Sequence, residues 1–266
     1  MKSGIGVFFA VAIALGGSWL GFVVGPTLQL GTAKETAVLV SGDTWPQQRT
    51  GEATLGLQIY RANGCAACHT EQIRQQGVVY EVALTGAGKN PTAVSNVLAG
   101  LKLSGLTKEE ADEASGKITG AGGKAETHLA ATGTDIQRGW GVRHSVAADY
   151  LYDAPVQLGS LRAGPDLANV GGRLADANWH LMHLYAPGIV KDSRMPSFKF
   201  LFEKRKVGVT PSPDALTGLP KEFAPADGYE VVPKPEAKQL VAYLLSLRAD
   251  APLYEAPFTP ATTAKP

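Results

Sequence analysis

The two cysteines of this 266-residue chain lie three positions apart, and a histidine directly follows the second: Cys65-Ala-Ala-Cys68-His69. No other stretch restricts the possible folds so sharply. A four-ligand zinc site would want further cysteines or a spaced histidine pair, and a thioredoxin-like pair has no need of the adjoining imidazole. A structural disulfide explains the histidine no better. C-x-x-C-H is the attachment signature of c-type haem: two thiolates add to the porphyrin vinyl groups, and the imidazole that comes next is placed to ligate iron. A chain that carries haem in this way must build its core around a flat cofactor.

Composition agrees with a domain of that kind and excludes several others. Lysine and arginine number 25 against 24 aspartates and glutamates, a net charge of +1, so no basic field exists to hold a nucleic acid or an anionic lipid surface. The 31 glycines and 17 prolines predict many turns and loops rather than long regular layers. The length suits one main domain with an appendage. No nucleotide-binding glycine loop, serine triad or pair of catalytic carboxylates stands out, which leaves hydrolase chemistry without support.

The appendage is at the amino terminus. From Ser3 to Ala33 there is no charged side chain, and GIGVFFAVAIALGGSWLGFVVG is almost wholly apolar. A helix crosses the hydrocarbon layer in about 20 residues, whereas the apolar core of a cleaved signal peptide runs about 7 to 15. The stretch predicts a retained transmembrane anchor over residues 4–30. Lys2 precedes it, and Lys34, Glu35, Asp43 and Arg49 follow with mixed sign, so charge alone argues weakly for a cytoplasmic amino terminus.

Haem iron of this type usually takes a second axial ligand. The candidates are Met1, Met182, Met195, His128, His144, His180 and His183. Met195 stands out because it sits in DSRMPSF, where Pro196 restricts the backbone and no helical or strand period is present. Met182 lies in NWHLMHLYAP, a short predicted helix ending at Pro187, and reads as packing. His180 and His183 share a helix face, but without a carboxylate or cysteine at matching spacing they read as structural or haem-adjacent rather than as a second metal site.

Two amphipathic helices bracket these residues. EATLGLQIYRANG places Leu55, Ile59 and Tyr60 at helical spacing, with Gly64 available to end the helix and Gly56 to permit a close approach. KPEAKQLVAYLLSLRA starts on Pro235 and carries Leu240, Val241, Leu244 and Leu247 on one stripe. Packed across each other, they would close a domain over residues 50–250.

This order of a helix, Cys65-x-x-Cys68-His69, GPDL at 164–167, a methionine loop at Met195 and a final helix resembles the class I cytochrome c fold. More narrowly, CHTEQIR, YLYDAPVQLGSLRAGPDLANVGGR, WHLMHL and SRMPSF resemble the membrane-anchored mono-haem subunit II of cbb3-type cytochrome c oxidases, over residues 1–78, about 138–205 and the last helix. The resemblance implies a mainly α fold, with one transmembrane helix before a cytochrome c domain. It implies one covalent haem c with His69 and Met195 on the iron, the carbonyl of Pro165 on the His69 ring proton, and Leu167 against the porphyrin. Arg173 becomes a candidate to face a propionate, with an ordinary surface arginine as the alternative. The implied role is non-catalytic: electrons pass from a di-haem cytochrome subunit or a soluble cytochrome c to the oxygen-reducing haem-copper subunit. Haem attachment on the outer side of the bacterial cytoplasmic membrane then implies a periplasmic haem domain and a cytoplasmic amino terminus.

The chain departs from that family between Val79 and about Gly133, where a short connection would suffice. Asn90-Pro91 reads as a cap and first helical residue before Val94, Val97, Leu98 and Leu101; Thr107 and Glu110 make a capping box before KEEADEASGK. A helical insertion over about 80–134 is expected, read as a solvated hairpin in preference to a partner contact. The tail 251–266, rich in proline, is expected to be extended. Other readings of function are the anchored cytochrome of a nitric oxide reductase, a free-standing membrane cytochrome and, less favoured because of Met195, a haem-based sensor with an open iron position.

Overall fold

The computed structural model describes residues 2–38 and 41–253. It divides into two units, Met1–Gln48 with Val146–Val156, and Arg49–Ser145 with Gln157–Pro266.

In the first unit, α1 (Lys2–Trp19) runs through a π-helical turn, Leu20–Val24, into α2 (Gly25–Leu30). The turn has a local cause. Pro26 carries no amide proton and its ring would crowd the carbonyl four residues back. The chain widens just before it, and the Gly25 amide bonds five residues back to the Leu20 carbonyl. Gly4–Gln29 has a mean hydropathy of 2.2 and none of its residues is buried, so among the described residues one helix is long and apolar enough to cross a membrane. Beyond it β1 (Thr36–Ala37) pairs antiparallel with β2 (Thr44–Trp45), and the Trp45 indole donates to Asp149 Oδ1 at 2.7 Å.

The second unit contains the haem-motif residues. Thr50 caps α3 (Gly51–Ala62) by accepting the Ala53 amide. Helix α9 (Pro235–Ser246) starts with proline in its first turn, as the sequence predicts, and buries Ala237, Leu240, Val241, Tyr243 and Leu244. The two helices pack directly, and Gly56 is where they touch: a Cβ there would stand 1.9 Å from the Gln239 carbonyl oxygen. Tyr60 and Tyr243 meet beside this contact with ring centroids 5.1 Å apart. The short α7 (Val170–Arg173) closes on the same helix through Gly171, whose Cβ would lie 2.1 Å from the Leu245 oxygen. The shared core adds Leu184 from α8 (Ala177–Tyr185), together with Phe202 and Val231 from the antiparallel pair β5 (Phe202–Lys206) and β6 (Tyr229–Pro233).

The insertion corrects the expectation of a purely helical hairpin over 80–134. Its helices are where the sequence places them. Asn90 Oδ1 accepts the Ala93 amide before α4 (Pro91–Leu98), and Thr107 and Glu110 form the capping box of α5 (Lys108–Gly120). They are flanked, however, by two long strands, β3 (Gly77–Gly86) and β4 (Lys124–Thr132), paired antiparallel from Gly77↔Thr132 to Gly86↔Lys124. The β-branched and aromatic run VVYEV favours an extended chain, but its partner is about 50 residues away, so no local turn signal announces the pair. The module has its own core of Val82, Val94, Leu106, Ala111, Ala114 and Ile118. Helix α5, which reads as almost wholly polar, contributes three of these. Of the expected tail 251–266, Ala251–Leu253 are described, with Leu253 buried, and residues 254–266 lie outside the described residues.

Candidate haem site

Helix α3 ends where Gly64 turns left-handed at φ 66°, a conformation that costs glycine little. A single 3₁₀ turn, Cys65–Ala67, follows, and the amides of Cys68 and His69 both bond the Cys65 carbonyl, at 3.1 and 3.0 Å. Cys65, Cys68 and His69 are thereby held on one tight turn. The two thiols are not joined to each other.

Segment 158–169 lies along 66–72 as a strap. Ser160 N donates to the Ala66 oxygen at 3.1 Å, Gly164 N to the Cys68 oxygen at 3.0 Å, Leu167 N to the Thr70 oxygen at 2.7 Å, and Glu71 N to the Leu158 oxygen at 3.2 Å. The His69 ring sits between these ties, with Nδ1 2.8 Å from the Pro165 carbonyl oxygen. It lies so flat on Gly164 that a Cβ there would be 2.3 Å from the ring Cε1. A carbonyl can only accept, so this contact puts the proton on Nδ1 and leaves the Nε2 lone pair free. Burial, and secondarily the Arg173 guanidinium, hold the His69 pKa below the ordinary histidine value against the opposing pull of the Pro165 carbonyl.

Cys65, Cys68, His69, Pro165, Leu167, Arg173 and Met195 all line one cavity of about 510 Å³. Its walls are largely apolar, with Val170, Leu184, Leu240 and Leu244 among them, and its size falls in the range of roughly 300–1,000 Å³ typical of cofactor sites. Met195 reaches it from the loop after α8, and Met182 is not among its lining residues. Burial raises the Cys65 thiol to about 11. Arg173 donates from Nη2 to the Asp166 backbone oxygen at 2.8 Å, while its Nε is buried without a partner. A guanidinium only partly satisfied at the edge of an apolar cavity fits a cofactor that carries carboxylates. Two unpaired thiols, an imidazole with a free nitrogen and a thioether around this volume fit haem.

Of the remaining candidates, two histidines lie at the cavity and the other two elsewhere. His180 is buried with Nε2 2.8 Å from the Leu174 oxygen and also lines the cavity. His183 lines the cavity, stacked on Trp179 at 5.0 Å; burial, then the nearby His180 and His69, bring its pKa to about 4. His128 pairs with Glu81 on the inserted hairpin, His144 lies 2.9 Å from Gln75 Oε1, and Met1 lies outside the described residues.

Sequence reasoning misses the charged groups beneath the strap. Arg162 grips Asp135 through Nη1, 2.7 Å from both carboxylate oxygens, and donates from Nε to Thr70 Oγ1 at 2.9 Å. Asp166, wholly buried, accepts from Thr70 Oγ1, the Gln72 amide and the Ala168 amide. Apart from Asp166 and Ala168, the partners lie 27 to 96 residues apart, and the only sequence hint is an arginine and an aspartate flanking the glycine and proline of RAGPD.

Comparison with known protein families gives one match. The family model described as cytochrome c oxidase, mono-heme subunit/FixO, matches residues 133–217, a stretch that begins directly after β4 and contains the strap and the Met195 loop. No curated protein is similar enough to the chain to match it. Over residues 133–217, about a third of its length, the chain is similar to the mono-haem subunits of cytochrome c oxidase, and the attachment motif at Cys65–His69 and the apolar amino-terminal helix lie outside the matched residues.

Proposed function

We propose that the haem is attached covalently through Cys65 and Cys68, with His69 Nε2 and Met195 Sδ as the axial ligands of its iron. The observation that carries this reading is the single cavity lined by all four side chains, with His69 Nδ1 already engaged by Pro165. Bound there, haem supplies a one-electron ferric/ferrous couple. The protein's own part is to orient and to exclude water. Pro165 and Gly164 fix the plane of the His69 ring, Leu167 would pack against the cofactor, and Arg173 would supply a donor to a propionate.

A mono-haem subunit of a cytochrome c oxidase implies oxidase partners. In this reading electrons arrive from a di-haem cytochrome subunit or a soluble cytochrome c and leave for the oxygen-reducing haem-copper subunit. The span Gly4–Gln29 anchors the chain once, with the amino terminus cytoplasmic and the haem unit periplasmic, and a tether of this kind keeps the carrier at high effective concentration beside its acceptor.

Mass spectrometry of the denatured chain tests attachment: one haem will remain bound, and a haem-free mature chain would overturn the assignment. Met195→Ala will abolish the methionine-to-iron charge-transfer band, whereas Met182→Leu will leave it in place. If the two variants behave the other way round, the ligand assignment fails.

A further inference from the structure

The strap's underside carries a connected cluster of charged side chains. Every one of its side-chain ties falls within three residues of His69 along the chain or within three of Pro165, except those to Asp135 and Arg74. Asp166, next to Pro165, is wholly buried and fully engaged: Oδ2 accepts from Thr70 Oγ1 at 2.5 Å and from Gln72 N at 2.9 Å, with Arg162 Nη2 at 3.4 Å, while Oδ1 accepts from Ala168 N at 2.9 Å. Arg162 joins this cluster to Asp135 through its bidentate contact and also donates to the Gln72 carbonyl. Asp135, in the one-turn helix α6 (Thr134–Gln137), itself accepts the Arg74 amide at 2.8 Å and stands three residues after the end of β4.

We propose that Asp166, Arg162 and Asp135 form a positioning network that fixes the Pro165 carbonyl on His69 and sets the reduction potential of the haem, with Asp135 tying the foot of the inserted module into it. The inference rests on the haem reading above. Its physical basis is twofold. A buried carboxylate beside the His69 segment favours the more positive, ferric state of the iron, because charges in a low-dielectric interior interact strongly. A firmly held acceptor on His69 Nδ1 raises the electron-donating power of Nε2, which favours ferric iron further. Loosening the network therefore raises the potential and lets the imidazole plane turn.

The test uses the full-length protein in its complex, with Asp166→Asn, Asp135→Asn and Arg162→Lys compared with wild type by redox titration and by electron paramagnetic resonance of the ferric haem. Asp166→Asn will raise the midpoint potential most, because it removes the buried negative charge, and its amide nitrogen, which can only donate, must face either the Ala168 amide or the Thr70, Gln72 and Arg162 donors. Asp135→Asn will raise it less. Both, and Arg162→Lys, will shift the g-values that report the axial imidazole plane while leaving a low-spin haem attached. Variants that keep the haem but show the wild-type potential and g-values would overturn the proposal and leave the network a purely structural clasp. Loss of haem from all three at wild-type protein levels would overturn it too, since the network would then serve attachment and not tuning. A wild-type chain without covalent haem would instead defeat the haem reading, a result distinct from either.

Discussion

The haem unit and the inserted module solve the same problem in opposite ways. In the module, α4 and α5 cover one face of the β3–β4 pair, and Val82, Val94, Leu106 and Ile118 fill the space between them with side chains alone. In the haem unit, Tyr60, Leu167, Leu184, Leu240 and Leu244 surround a cavity of about 510 Å³ that side chains leave open. Interiors normally pack as densely as organic crystals, so an apolar volume of this size marks a core that needs something besides the chain to complete it. One region is finished by its own sequence. The other is finished by its cofactor, and that difference predicts how each responds to damage.

The sharpest break comes from the attachment turn. Cys65→Ala with Cys68→Ala will abolish covalent haem and, since whatever binds only the folded state stabilises it, sharply reduce the folded protein recovered from membranes; heat-released haem and immunoblotting measure both. Wild-type amounts of folded, haem-free protein would show that the cavity does not depend on its cofactor. Next in size is Met195→Ala, which will lower the midpoint potential by about a tenth or more of the roughly 0.8 V span that axial ligands can set, with the haem still attached. A smaller and purely local effect is expected in the module. Ile118→Ala removes a fully buried side chain and will destabilise the module by about 2–5 kcal/mol, read as faster amide exchange in α4, α5, β3 and β4 and not around α3 and α9. The smallest effect belongs to excision. The Gln76 amide bonds the Thr132 carbonyl at 2.9 Å and Gly77 faces Thr132, so replacing residues 78–131 with a short glycine turn will leave the haem spectrum unchanged, provided Asp135 is retained. Loss of the haem spectrum would show that the two cores are one, and loss of assembly alone would make the module a partner contact.

What the sequence reveals and what it conceals follow the same division between local and distant chemistry. Cys65, Cys68 and His69 are readable because their chemistry depends on spacing within one turn. The caps at Asn90 and Thr107 and the proline start of α9 are readable for the same reason. Gly56 is legible as a contact point because a bare backbone on an amphipathic helix has few other uses. Strands β3 and β4 are not legible, since each needs a partner that no neighbouring turn supplies. The same holds for Arg162, Asp135 and Asp166: each alone is an ordinary charged residue, and only folding brings them under one strap. Met195 lies between these cases. Its loop is visible in the sequence, but its place on the wall of the His69 cavity is a property of the fold.

In this reading the haem unit is a relay, a core completed by a cofactor that exchanges electrons and does not capture ligands. Rapid mixing of the purified complex with a reductant and then with oxygen tests this most directly. The haem at Cys65 and Cys68 will be reduced before the catalytic haems and reoxidised together with them when oxygen is added, and its spectrum will not respond to carbon monoxide. A haem that binds carbon monoxide or oxygen itself, or that stays reduced while the catalytic subunit turns over, would contradict the relay.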